Sequence, residues 1–144
     1  MTALTEENLS EALKLIRVSL LEADVEFQGM APDQFSRADM AFDVLEAGIN
    51  LSAAPVVLVN EPIFISDGLN SDIRYNFYYP IWAYDAYLTM LKAEVAQKDW
   101  ELINLWNTLP GELFTDSAIH YDKQGVKQVV VELLSSPQLS FMNE

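Results

Sequence analysis

Two short apolar segments with a helical segment between them constrain the fold of this chain more than any other feature. Residues 54–59 (APVVLV) are apolar at both alternating positions, a pattern typical of a strand buried on both faces of a parallel sheet. Residues 100–105 (WELINL) predict a second strand. Between them, Pro80 suits the start of a helix that ends near Lys98. This strand–helix–strand unit predicts two parallel strands joined by a right-handed crossover.

Further helices are predicted on both sides of this unit. Residues 5–24 have leucine and isoleucine at three- and four-residue spacing. Residues 32–47 carry a second apolar stripe, and the following Gly48 is a good residue for a helix end. A last helix begins near Asp122 and stops at Pro137. The predicted order is helix, helix, strand, helix, strand, helix.

This order predicts one α/β domain over residues 1–144, a length within the usual range for a single domain. Residues 1–48 make up its helical N-terminal part, and residues 54–136 make up its strand–helix–strand–helix part. Because 51% of the residues are apolar, the chain has enough apolar surface to bury a core.

The composition excludes several kinds of partner and site. With 22 Asp and Glu against 8 Lys and Arg, the net charge is −14, so we expect no nucleic-acid partner and no anionic membrane surface. No run of 18 apolar residues occurs, so no direct membrane insertion is expected. The chain has no cysteine, which excludes disulfides and thiolate nucleophiles, and its single histidine makes a His-rich metal site impossible. No signal peptide is predicted, and the compartment stays open.

An acid and a base follow the second predicted strand. Asp116 and His120 lie beyond its carboxyl end, where open parallel sheets bind their ligands. In serine hydrolases an imidazole removes the serine hydroxyl proton, and a carboxylate on its other nitrogen fixes the tautomer. The four-residue spacing places both groups on one side if the segment makes a helical turn. A purely structural histidine–carboxylate bond is the alternative.

The residues around this pair resemble a known family. The run LFTDSAIH at 113–120, followed by Gly125 and an apolar helix, resembles the last sequence block of the SGNH/GDSL hydrolases. The resemblance extends over roughly residues 50–136. It implies a partial three-layer parallel-sheet fold, flavodoxin-like and SGNH-type, with Asp116 as the orienting acid and His120 as the general base. It also implies that no metal or cofactor is required.

The chain departs from the family's pattern in three ways. Its spacing is Asp-x-x-x-His rather than Asp-x-x-His, the Gly-Asp-Ser and Gly-x-Asn-Asp blocks do not occur, and only two of five strands are predicted. The resemblance therefore implies the C-terminal part of a serine ester hydrolase or acyltransferase whose serine is not identified in this chain. Its substrate would be a small-molecule or glycan ester. The open sheet edge predicts self-association or a missing N-terminal half.

The irregular segment 60–79, which follows the first strand, supplies candidate substrate-binding residues. Loops of about 20 residues inside a compact domain are uncommon and usually functional. Asn60 is placed to face the cleft as an oxyanion donor. Arg74 could pair with a substrate carboxylate or phosphate, and Tyr75 and Asn76 belong to the same aromatic-rich stretch. Ser66 could serve as the nucleophile, although serine is also a common turn residue.

A non-catalytic function is the alternative to ester chemistry. The same scaffold could bind a glycan or a protein through Tyr75, Tyr78, Tyr79 and Trp82, next to Arg74. A purely structural alternative is that these aromatic residues form a small core that fixes the long loop. A helical adaptor using the N-terminal Leu/Ala helices is a third hypothesis.

Overall fold

Two short parallel strands form the sheet of this protein, whose computed structural model describes residues 26–139. Strand β1 (Val57–Asn60) pairs with strand β2 (Glu101–Asn104), and the register places Asn60 opposite Asn104. Three helices accompany the strands: α1 (Phe42–Leu51), α2 (Ile81–Lys98) and α3 (Lys123–Leu134). The predicted α/β class and the parallel pairing are confirmed. The helix predicted at residues 5–24 lies outside the described residues.

Helix α2 is the crossover between the two strands. Pro80 precedes its first residue, a position that proline tolerates because the first amide of a helix has no partner within it. Its buried residues are Ala83, Tyr84, Leu88, Leu91 and Glu94, and the last four follow one another at three- or four-residue spacing. The helix ends at Asp99, which adopts the left-handed conformation with φ 56° and donates its N–H to the carbonyl of Val95. The chain then enters β2 directly.

Two apolar clusters form the core. The first joins β2 to α3 and consists of Ile103, Leu105, Leu109, Leu113, Phe114 and Val129. The second joins α2 to the loop after β1 and consists of Ile63, Tyr84 and Leu88, with four half-buried aromatic residues packed against it. Each cluster therefore attaches one helix to the segments that follow the carboxyl ends of the strands.

Ion pairs attach α1 and the turn before it to α2. Arg37 donates two hydrogen bonds to the carboxylate of Glu94, a buried residue of α2. These bonds hold the pKa of Glu94 below its usual value. A second pair joins Lys98, at the end of α2, to Glu46 in α1. Burying a carboxylate is unfavourable without such a partner, so Arg37 is required where it lies.

The helix predicted at residues 32–47 is wrong at both ends. Ser36 caps a short 3₁₀ turn at Arg37–Asp39 through a reciprocal bond with Asp39, and Met40 then adopts an extended conformation that breaks the helix. Helix α1 starts only at Phe42 and continues through Gly48 to Leu51. Gly48 is thus a residue of the helix interior rather than the residue that follows the helix.

Strand β1 is less buried than its sequence predicts. Val59 is 41% exposed, and Val57 and Leu58 are only half-buried. Within residues 26–139 the sheet has two strands only, so β1 has a neighbour on one side. Among the helices in this range, none is long and apolar enough to cross a membrane.

Helix α3 begins with a strong cap and a close contact. The Asp122 carboxylate accepts hydrogen bonds at 2.8 Å from the amides of Gln124 and Gly125. A Cβ atom on Gly125 would lie 2.8 Å from the Cβ of Tyr121 and 3.4 Å from that of Leu113. Glycine therefore lets α3 approach the loop that carries Asp116 and His120.

We expect Gly125→Ala to destabilise the fold by about 1–3 kcal/mol, because the added methyl overpacks a contact between two Cβ atoms. Gly48→Ala is the matched control: it is also helical, a Cβ there meets nothing within 4 Å, and it should stabilise by about 0.5–1 kcal/mol. Urea unfolding of both variants checks this. Equal stabilisation by the two substitutions would contradict the packing argument.

Candidate functional site

The loop carrying Asp116 and His120 is fixed by backbone hydrogen bonds. Its two ends meet in an antiparallel bridge between Phe114 and Tyr121. Across the loop, the Thr115 amide donates to the His120 carbonyl at 2.8 Å. Its middle is attached to the segment after β1, because the Phe64 amide donates to the Ala118 carbonyl at 2.7 Å. The loop therefore holds the acid and the base in one defined arrangement.

Asp116 and His120 form the pair predicted from their spacing. His120 Nδ1 lies 3.1 Å from Asp116 Oδ1. The hydrogen bond from His120, followed by one from the Thr115 hydroxyl at 3.0 Å, lowers the pKa of Asp116. The two side chains are 61% and 78% exposed for His120 and Asp116 respectively. With Nδ1 engaged, Nε2 is the ring nitrogen available for chemistry.

Asn60 lies at the carboxyl end of β1 in a polar network. It is only 7% exposed, and its amide nitrogen donates to Asn104 Oδ1 at 2.8 Å and to the Tyr84 hydroxyl at 3.4 Å. Its amide oxygen accepts from the Tyr87 hydroxyl at 3.1 Å. Burial raises the pKa of Tyr84 to about 12, so this hydroxyl stays protonated. As an oxyanion donor, Asn60 would have to release one of these bonds.

A cleft of about 390 Å³ lies beside this network. Asn60 and Tyr84 line it on the side of the sheet and α2, and Met30 and Met40 line it from the segment before α1. Ile119, the residue before His120, also lines it. The structure thus places Asn60 at the cleft and brings the Asp116–His120 loop to its edge.

Sequence reasoning missed most of this cleft. Tyr84, Tyr87 and the residues of segment 27–40 are not among the binding residues predicted from the sequence. The available signal was the spacing of Tyr84 and Tyr87, which places both rings near one face of α2. The contribution of residues 27–40 depends on long-range folding and has no local sequence signal.

The remaining candidate residues hold the long loop together. Arg74 is buried and donates to the carbonyls of Asn76 and Phe77 at 3.3 and 2.8 Å. Asn76, 2% exposed, donates to the Phe64 carbonyl at 2.7 Å and accepts from the amides of Tyr78 and Tyr79.

Tyr75 belongs to the same aromatic packing. Its hydroxyl donates to Asp85 at 2.8 Å, and its ring lies 5.2 Å from that of Trp106, centroid to centroid. Burial, followed by the bond to Asp85, raises the pKa of Tyr75 to about 12. Neither Tyr75, Arg74 nor Asn76 is among the described residues that line the cleft.

No serine in the described part of the chain is hydrogen-bonded to His120. Ser66 is buried, its hydroxyl accepts from the Gly68 amide at 3.1 Å, and its own amide donates to the Tyr75 carbonyl. These contacts are those of a turn residue. Residues 26–139 also contain no group of three or more acidic or histidine side chains suited to a metal ion.

No protein-family model, no curated protein and no solved structure matches this chain. The resemblance of its last block to the SGNH/GDSL hydrolases therefore stays a prediction.

We expect Asn76→Asp to destabilise the fold by about 2–3 kcal/mol, because a carboxylate would face the Phe64 carbonyl where an amide now donates. Asn107→Asp makes the same chemical change at an exposed turn residue and should shift stability by less than about 0.5 kcal/mol. Thermal unfolding of both variants at neutral pH measures the difference. Equal losses of stability in the two variants would contradict a structural role of Asn76.

We expect the pKa of Asp116 to rise in His120→Ala, because its main hydrogen-bond donor is lost. A carboxyl whose pKa is lowered by folding stabilises the folded state above its unfolded pKa, and this contribution disappears as the pH falls through the folded value. The stability difference between the wild type and Asp116→Asn should therefore narrow below about pH 4. Carboxyl ¹³C titration and acid unfolding measure both effects, and an unchanged Asp116 pKa in His120→Ala would contradict the pairing.

Proposed function

We propose that this chain supplies the acid–base pair of a serine-dependent ester hydrolase or acyltransferase. The observation that carries the proposal is the 3.1 Å contact between His120 Nδ1 and the Asp116 carboxylate. It fixes the tautomer in which Nε2 carries a lone pair, which is what a general base requires. The fixed loop and the position of the pair beyond β2 support the same conclusion.

In this mechanism His120 acts as a base and then as an acid in each of two half-reactions. Nε2 takes the proton of a serine hydroxyl while the serine oxygen attacks the ester carbonyl. The imidazolium, stabilised by Asp116, then gives that proton to the alcohol that leaves. Water or a second alcohol repeats the sequence on the acyl-serine and releases the acid or the new ester. The substrate would be a small-molecule or glycan ester.

The serine belongs to a part of the site outside the described residues. The exposure of Asp116 and His120 supports this assignment, because acid–base pairs work best where water is excluded. Within residues 26–139, β1 is paired along one edge only, and additional strands of an SGNH-type three-layer sheet would pair at its other edge. A second polypeptide, another copy of this chain or a missing N-terminal half would supply them.

The single histidine makes the tautomer directly measurable. In the ¹⁵N spectrum of the neutral imidazole we expect the hydrogen on Nδ1 in the wild type. In Asp116→Asn, where the carboxylate is lost, we expect a larger share of the Nε2–H form. Glu112→Gln removes an exposed carboxylate from the nearby turn and serves as the control. A wild-type imidazole protonated on Nε2 would contradict the proposed base.

Fluorophosphonate labelling with intact-mass analysis locates the nucleophile. One adduct on one serine, lost in His120→Ala and retained in Glu112→Gln, would place a complete site in this chain. An adduct retained in His120→Ala would contradict the mechanism. If the tautomer result holds and the folded chain takes no adduct, the serine is assigned to a second polypeptide.

A specific observation also favours the binding alternative. Phe77 and Tyr78 are both about half-exposed, and their ring centroids lie 5.5 Å apart. Such an exposed aromatic pair suits a glycan or a protein surface. Binding without turnover, lost in the double variant Phe77→Ala/Tyr78→Ala and unaffected by His120→Ala, would distinguish this function from ester chemistry.

A further inference from the structure

We propose that the cleft beside the Asp116–His120 loop is a binding site for a small organic cation with an apolar body. The proposal goes beyond ester chemistry and does not depend on it, because it uses the lining of the cleft rather than the acid–base pair. It follows from the aromatic walls of the cleft, from the charges on its lining and from its polar network.

Aromatic rings form a continuous wall of the cleft. Phe35 contacts Phe27 edge-on at 5.8 Å between centroids, and Phe27 contacts Tyr79 at 6.1 Å. Tyr79 contacts Tyr84 at 5.4 Å, and Tyr84 contacts Tyr87 at 5.5 Å. All five rings line the cleft. Ring faces attract cations through their quadrupole, and sites for quaternary ammonium groups are built from such rings.

The charges on the lining have one sign. Asp39 and Glu61 line the cleft, and the described lining includes no lysine, arginine or histidine. The nearest cation along the chain, Arg37, is engaged with Glu94 and Asp43. An anionic ligand would therefore lose hydration without gaining a counter-charge, whereas a cation would gain the carboxylate of Glu61 and the negative charge of Asp39, whose Oδ2 also accepts from Ser36.

The polar groups beside the cleft are largely occupied by each other. The Asn60 amide is committed to Asn104, Tyr84 and Tyr87. A ligand that needs many hydrogen bonds would have to break this network. A volume of about 390 Å³ suits a small molecule with one ring and a compact charged group. Shape, charge and polarity thus favour the same ligand class.

Three probes of similar shape and different charge test the proposal on the full chain. Benzyltrimethylammonium is the cation, N,N-dimethylbenzylamine N-oxide is neutral overall, and phenylmethanesulfonate is the anion. In calorimetric or NMR titrations we expect the cation to bind at least about tenfold more tightly than the N-oxide, and the anion not to bind. Added NaCl should weaken binding of the cation only. Amide shifts should appear at Ala83 and Ile119, which line the cleft.

Three variants distinguish binding of the cation in the cleft from its general attraction to an acidic protein. Glu61→Gln should weaken cation binding several-fold, whereas Glu101→Gln makes the same charge change at the amino end of β2 and should leave it unaltered. Phe27→Leu keeps an apolar side chain but removes a ring, so it should weaken the cation more than the N-oxide.

Four outcomes would overturn the proposal. Equal affinities of the three probes, or tighter binding of the anion, would contradict the charge argument. No binding of the cation, or equal losses in Glu61→Gln and Glu101→Gln, would remove the site. His120→Ala should leave cation binding unaltered, so failure of the ester mechanism and failure of this site are distinguishable.

Discussion

The parallel pairing of β1 with β2 is the constraint on which the rest of the structure depends. A register that aligns Asn60 with Asn104 brings the carboxyl ends of both strands to one edge. The segments that leave this edge carry the polar network, the loop of Asp116 and His120, and part of the cleft lining. Four residue pairs thus determine which groups meet, although most of those groups lie outside the sheet.

The helices fix the positions of these segments in different ways. Helix α3 is held close to the Asp116–His120 loop by Gly125, which has no side chain to separate them. Helix α2 presents Tyr84 and Tyr87 to Asn60 and accepts the Arg37 ion pair through Glu94. Gly125 therefore sets how closely α3 packs against the Asp116–His120 loop, whereas hydrogen bonds and charge position the groups around the cleft.

The success of sequence reasoning depended on whether a feature is local. The helix after Pro80, the start of the last helix near Asp122 and the contact of Asp116 with His120 depend on residues close together in the sequence, and the sequence predicts them. Exposure of Val59 depends on which strands are present beside it, and no pattern within β1 encodes that. The capping bond of Ser36 with Asp39 is also local. The apolar spacing of residues 32–47 nevertheless predicts one continuous helix there, and the sequence pattern does not show that the capped turn interrupts it.

The candidate site divides in the same way. The contact between Asp116 and His120 agrees with their four-residue spacing, whereas the contacts of Arg74 and Asn76 depend on carbonyls that the folded loop brings to them. An arginine in an aromatic stretch suits both an anion site and a loop anchor. Only the folded arrangement distinguishes these roles, because both use the same hydrogen-bond donors.

The ion pair between Arg37 and Glu94 has a consequence for the cleft. It joins the segment 27–40, which lines one side of the cleft, to α2, which lines another. Arg37 and Glu94 are not among the described residues that line the cleft, yet their ion pair joins the two parts of the chain that do. An arginine whose side chain is half-exposed thus helps to position a cavity that it does not touch.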